Sequence, residues 1–172
     1  NRMNNDLAND FGNLGQRVLS MIYKNCGGQI PEPAELRPAD EAMLAAADSA
    51  LVRMRSELAL QAFHRALEAH FSVVAAANRY VDEQAPWVLR KTDTARFQTV
   101  LYVLAEVIRK LAILAQPFMP NGPDALLDQM NQPNDARDFA ALETRLAPGT
   151  EIAKPQGVFP RYVEDEETKG AS

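Results

Sequence analysis

An all-α helical bundle of about five helices is the fold this sequence predicts, and three observations predict it. Ala, Leu and Glu dominate the middle of the chain, and apolar residues recur there at three- and four-residue steps. The 8 Gly and 11 Pro cluster between those periodic stretches rather than inside them. With 172 residues and 47% hydrophobic positions, the chain can bury one substantial core but is short for two. One domain is therefore expected over residues 1–162, followed by an acidic tail at 163–172.

Asn4, Asn5 and Asp6 are good N-cap residues, and after them Leu7, Phe11, Leu14, Val18, Met21 and Ile22 form one apolar stripe. This first helix ends near Cys26-Gly27-Gly28. The segment GGQIPEPAELRPAD carries three prolines and reads as a loop, with Asp40 or the residue before it starting a second helix through Met43, Leu44, Leu51 and Met54. A long third helix is expected from Glu57 to about Gln84, with Leu58, Ala62, Leu67, Phe71, Val74, Ala77 and Val81 inward and Pro86 as its stop. Thr92 or Asp93 can cap a fourth, through Phe97, Val100, Leu101, Leu104, Ile108, Leu111 and Leu114 to Pro117. A short fifth helix spans roughly 123–130. From Leu146 through GTEIAKPQGVFPRY, Pro and Gly are too closely spaced for a helix, so an extended return segment packed on the bundle is expected. The EDEETKGAS end reads as disordered.

The net charge of −5 argues against a non-specific grip on a polyanion, which needs Lys and Arg to neutralise phosphates. Much of the negative charge lies in the tail, where four acids run from Glu164 to Glu167. Residues 87–110 hold Arg90, Lys91, Arg96, Arg109 and Lys110 against Asp93 and Glu106, a local excess of +3, and residues 13–24 hold Arg17 and Lys24 with no acid. Any nucleic-acid contact should be local and read bases. The single Cys26 excludes an internal disulfide, and no apolar run approaches the roughly 18 residues that span a bilayer. An opening that runs at once into a helix is what a piece of a longer chain would show.

Catalytic signatures are missing. GQR and CGGQ lack the strand-to-helix context and the Lys-Ser/Thr pair of a phosphate loop. His64 and His70 are about 600° of helical rotation apart and cannot form a metal pair, so both read as surface or packing residues. Cys26 has no partner that marks a nucleophile, and Asp82-Glu83 reads as a solvated helix end. No catalytic or metal-binding residue is expected.

Two features resist a purely structural reading. Asn13 and Arg17 are four apart, which puts an amide and a guanidinium about 6 Å apart on one helix face, a pair that can read a base edge. Alternatively Arg17 pairs with a nearby acid. The single Trp87 follows Pro86 at a helix junction and precedes Arg90 and Lys91; it is either a core plug or an exposed platform on which an unpaired base stacks.

NNDLANDFGNLGQRVLSMIYK (residues 4–24) resembles the helix that follows the catalytic core in methionyl-tRNA synthetases, a family with a pattern near N-x-D-L-a-N-x-l-G-N-L-x-x-R. ANRYVDEQAPWVLRK (77–91) is similar to the family's N-x-Y-I-d-x-x-x-P-W-x-L-x-K, and VIRKLAILAQPFMPNGPDALLDQM and GVFPRY resemble two further segments in order and spacing. The resemblance implies a helical domain appended to a class I catalytic domain, binding the CAU anticodon loop of methionine tRNAs. Asn13 and Arg17 match positions that bond the first anticodon base, a cytosine, and Trp87 matches the aromatic on which an anticodon base stacks. Asn9, Pro86, Arg90 and Lys91 are added as neighbours. ATP-binding patterns of the H-I-G-H and K-M-S-K-S kind occur nowhere here. The chain should therefore bind and not catalyse, with no cofactor of its own: ATP with magnesium, and zinc in many members, belong to a catalytic domain packed against the bundle. A cytoplasmic setting is implied, an organelle matrix being the other. Two alternatives stay open: the related domain of a synthetase for isoleucine, valine, leucine or cysteine, or a helical interaction module with Trp87 buried and Arg17 salt-bridged.

Overall fold

The computed structural model describes residues 2–119 and 122–156, with side chains described from Asn9 onward. Helix α1, Arg2–Asn25, starts before the expected caps, so Asn4 to Asp6 lie within its first turns. It stops where Gly27 and Gly28 take φ of +63° and +71°, left-handed conformations that side chains with a Cβ resist. The proline-bearing loop that follows is tied to the bundle by the Ala34 N–H, which donates to Thr99 Oγ1 at 2.9 Å.

Helix α2, Pro38–Ala59, opens with Pro38, which has no N–H to leave unpaired, and with Asp40 and Glu41 in the first turn. Helix α3 is Phe63–Gln84. The expected continuity from Glu57 through Ala62 is thus broken. Gln61 takes φ +57°, and the Ala62 and Gln61 N–H groups donate back to the Glu57 and Leu58 carbonyls, a Schellman closure made without glycine. Ala66, Ala69, His70, Val73, Val74, Ala77, Tyr80 and Val81 form the buried side of α3, whereas Leu67 and Phe71 are only half-buried. Helix α4, Pro86–Thr92, fills what read as a bare junction. Helix α5, Thr94–Ala115, starts at Asp93, whose carboxylate accepts the Arg96 N–H at 3.1 Å. Helix α6, Gly122–Gln129, and two 3-10 turns, Asn134–Ala136 and Phe139–Glu143, complete the helical elements among the described residues.

Described through residue 156, the return segment makes a single antiparallel bridge, Gln29 with Glu151, rather than a strand. It is held by reciprocal bonds between Ile30 and Gly149-Thr150 and by the Ala153 N–H on the Gln129 carbonyl. GVFPRY and the acidic tail lie outside the described residues.

Helix α5 runs through the centre, with α1, α2, α3, α4 and α6 packed on it. Every residue from Thr99 to Ala115 is buried. Its aliphatics each contribute about 1.5–3 kcal/mol by leaving water. Because of this all-round burial, the +3 excess at 87–110 does not form an exposed basic face. Arg96 pairs with Asp40, and Glu106 takes the Arg109 Nε and Nη2 donors at 2.9 Å each and the Leu146 N–H at 2.9 Å. Arg109 also donates to the Ala141 and Thr144 carbonyls, while Lys110 meets Asp48. These buried charges clamp the C-terminal segment to α5; only Arg90 and Lys91 of the five cations stay exposed. His70 is buried: Nε2–H donates to the Leu111 carbonyl at 2.9 Å, and the ring meets Phe11 and Phe71 edge-on. His64 is exposed beside Glu68. No helix among the described residues is long and apolar enough to cross a membrane.

Candidate nucleic-acid interface

The α3–α4 corner presents Trp87. Ala85 adopts φ +47°, ψ +64°; its N–H closes α3 on the Val81 carbonyl, and its own carbonyl accepts from Val88 and Leu89 in α4. Pro86 supplies a fixed φ at the first position of α4 and is itself buried. The next residue therefore points outward, and Trp87 is 46% exposed.

A buried polar cluster anchors this corner. Asp40 is fully buried and accepts four bonds: Tyr80 OH at 2.5 Å, Arg96 Nη1 at 2.6 Å, Arg96 Nη2 at 2.8 Å and the Arg37 N–H at 2.9 Å. Arg96 Nη2 also donates to Gln84 Oε1 at 2.7 Å, one residue before the corner. Burial pushes the Asp40 carboxyl up, but the Arg96 and Tyr80 bonds outweigh it and hold it below the ordinary carboxylate range. Burial and the Asp40 charge push the Tyr80 phenol up, and Arg96 is raised by its bond to Asp40. Three helices thus meet on one ion pair.

Opposite Trp87 lies the outer face of α1. Its inner face buries Phe11, Leu14, Val18, Leu19 and Ile22. Gly15 is also buried, where an added Cβ would stand 3.2 Å from Leu126 Cδ1, so glycine lets α6 approach closely. The polar residues are left facing out. Asn13, Gln16, Arg17, Ser20 and Met21 border one open groove of about 760 Å³, and Trp87 completes it. Among the described residues, the side chains of Asn13, Gln16, Arg17, Ser20 and Trp87 have no hydrogen-bond or ion-pair partner inside the fold. The structure departs from the arrangement in which Trp87 is sealed and Arg17 salt-bridged.

The remaining candidates are placed around this groove rather than in it. Asn9 is exposed one turn before Asn13, and Arg90 and Lys91 are exposed in the last turn of α4, but none lines the groove. Pro86 is buried at the start of α4, directly before Trp87. Gln16, Ser20 and Met21 were not singled out by sequence. Helical spacing puts Gln16 and Ser20 on the row beside Asn13 and Arg17, whereas Met21 reads as a member of the apolar stripe and is half-exposed. Another cavity is lined by Asp48, Lys110 and Arg145, which are already paired with one another, and by Glu143. Burial raises the Cys26 thiol, away from a nucleophilic thiolate. Among the described residues no group of three or more His, Cys, Asp or Glu could hold a metal ion.

Fold and groove together define a class: a helical binding domain that presents unpaired amides, a guanidinium and an indole to solvent on one side. Residues 30–171 match the family model described as the anticodon binding domain of methionyl tRNA ligase. A methionine–tRNA ligase of Brucella melitensis is 55% identical over 97% of this chain and 33% of its own length, and one of Mycobacterium leprae is 51% identical over 99% and 32%. A crystal structure of the free Mycobacterium tuberculosis methionyl-tRNA synthetase superposes with a TM-score of 0.90 at 49% identity, covering 94% of this chain and 34% of that one. The chain belongs to the family of methionyl-tRNA ligase anticodon-binding domains, and it spans about a third of the length of the relatives it matches. The family match begins after α1, but the relatives' similarity extends over it.

Proposed function

We propose that this chain reads the CAU anticodon loop of methionine tRNAs on behalf of a methionine–tRNA ligase. The observation that carries the reading is the shared groove of Asn13, Arg17 and Trp87, whose side chains have no hydrogen-bond or ion-pair partner among the described residues. An anticodon base leaves its own stack and lies on the Trp87 indole, a contact worth about 1–3 kcal/mol. The first base, a cytosine, offers O2 and N3 acceptors that the Arg17 guanidinium satisfies, and an N4 amine that the Asn13 amide oxygen accepts. Arg90, Lys91 and, one turn before Asn13, Asn9 flank the groove and meet the neighbouring backbone. Pro86 orients the indole from below.

The sequence lacks the ATP-binding patterns, and among the described residues no group of three or more His, Cys, Asp or Glu could hold a metal ion. Attachment of methionine, with ATP, magnesium and in many relatives zinc, falls to a catalytic domain packed against the bundle, in the cytoplasm. With a net charge of −5, this chain supplies specificity more than phosphate grip. In the full-length ligase, Trp87→Ala should lower aminoacylation through weaker tRNA binding and leave ATP-dependent methionine activation unchanged. Arg17→Gln should relax discrimination at the first anticodon base. Equal loss of activation and aminoacylation in both variants would contradict the reading.

A further inference from the structure

On α1 the groove carries two polar rows, and cytosine reading uses one. Asn13 and Arg17 form the first. Gln16 and Ser20, also four apart, form the second, displaced by about 60° around the helix and about 4.5 Å along it, since each residue advances about 100° and 1.5 Å. Stacked nucleotides are about 3.4 Å apart along a strand, and unstacking lengthens the step. The second row therefore stands about one nucleotide from the first. Gln16 is exposed, lines the same groove as Trp87 and has no hydrogen-bond partner among the described residues.

We propose that Gln16 is a second specificity-determining residue, reading an adenine adjacent to the base held by Asn13 and Arg17. A carboxamide is self-complementary to adenine: its oxygen accepts from the N6 amine while its NH2 donates to N7, a bidentate match that guanine, with an O6 acceptor in place of the amine, cannot make. In CAU the neighbour of the first base is an adenine, so the inference rests on the anticodon reading above and extends it to the middle position. Ser20 lies one turn beyond Gln16 in the same row, within reach of the same nucleotide.

The test is aminoacylation by the full-length ligase of tRNAs with A or G at the middle anticodon position. Gln16 faces solvent, so Gln16→Ala should leave folding and ATP-dependent methionine activation intact. It should narrow the A-over-G preference in kcat/KM about tenfold, the size expected for one bidentate base contact, without changing the preference at the first position. Two results overturn the assignment: an equal drop for every middle base, or an unchanged A-over-G ratio while Trp87→Ala and Arg17→Gln still impair tRNA use. If those two variants are also silent, the groove reading itself falls.

Discussion

Replacing Asp40 with Ala should destabilise the domain by about 3–5 kcal/mol, the cost of breaking a buried ion pair from one side. The magnitude follows from what is left behind. The Arg96 guanidinium, 5% exposed at its side chain, would lose both bonds to the carboxylate, and its Nε already lacks a partner. Tyr80 and the Arg37 N–H would lose their acceptor as well. For a chain of this size each kcal/mol moves the melting temperature by about 2–4 °C, so thermal unfolding followed by circular dichroism should show a drop of about 6–20 °C. Asp40→Ala/Arg96→Met should be less destabilised than the sum of the single variants, because no uncompensated charge then remains. The network also pins Gln84 beside the corner that presents Trp87, so Asp40→Ala should weaken tRNA binding beyond any loss of folded protein. The sign with pH is fixed too. A carboxyl held below its unfolded value stabilises above that value and loses the contribution as pH falls through the folded one, so Asp40→Asn should flatten the acid limb. A change within about 1 kcal/mol for Asp40→Ala, or strict additivity in the cycle, would refute the reasoning.

His70 gives a second pH prediction. Burial lowers its pKa to about 4 despite the Leu111 bond, so the unfolded chain takes up a proton first as pH falls below about 6.5. Stability is complete above that value and should decline by about 3 kcal/mol towards pH 4, a slope that denaturant titration should find missing in His70→Leu. Gly15→Val should cost about 1–3 kcal/mol by driving side-chain bulk into Leu126 and Ile108, whereas Gly15→Ala, which also gains helix propensity, should stay closer to neutral in the same titration. Tyr102→Phe removes the hydroxyl bond to the Leu146 carbonyl and should cost about 1 kcal/mol, with faster amide exchange in the return segment.

Punctuation made much of the fold legible. Pro86, Pro117, Gly27-Gly28 and the Asp93 cap mark ends that the structure places within a residue or two. The α2–α3 boundary, expected just before Glu57, falls instead at residues 60–62, because 57–62 are good helix formers with neither Gly nor Pro to mark the turn at Gln61. The charges of α5 misled for a related reason. Glu106, Arg109 and Lys110 look solvent-bound in one dimension, and only the fold brings Asp48, Thr144 and Leu146 to meet them. In the groove, the Asn13–Arg17 spacing was readable as a helix face. Its convergence with Trp87 was not, since the two elements are separated by more than sixty residues and meet through tertiary packing.

Trp87 is the single tryptophan of this chain, which makes its emission a direct report on the groove. Titrating the 172-residue domain with a CAU anticodon stem-loop should change that emission and reduce quenching by acrylamide, and a stem-loop altered at the first anticodon base should do so only at higher concentration. An indole that stays equally open to acrylamide with saturating CAU stem-loop bound would contradict base stacking on Trp87.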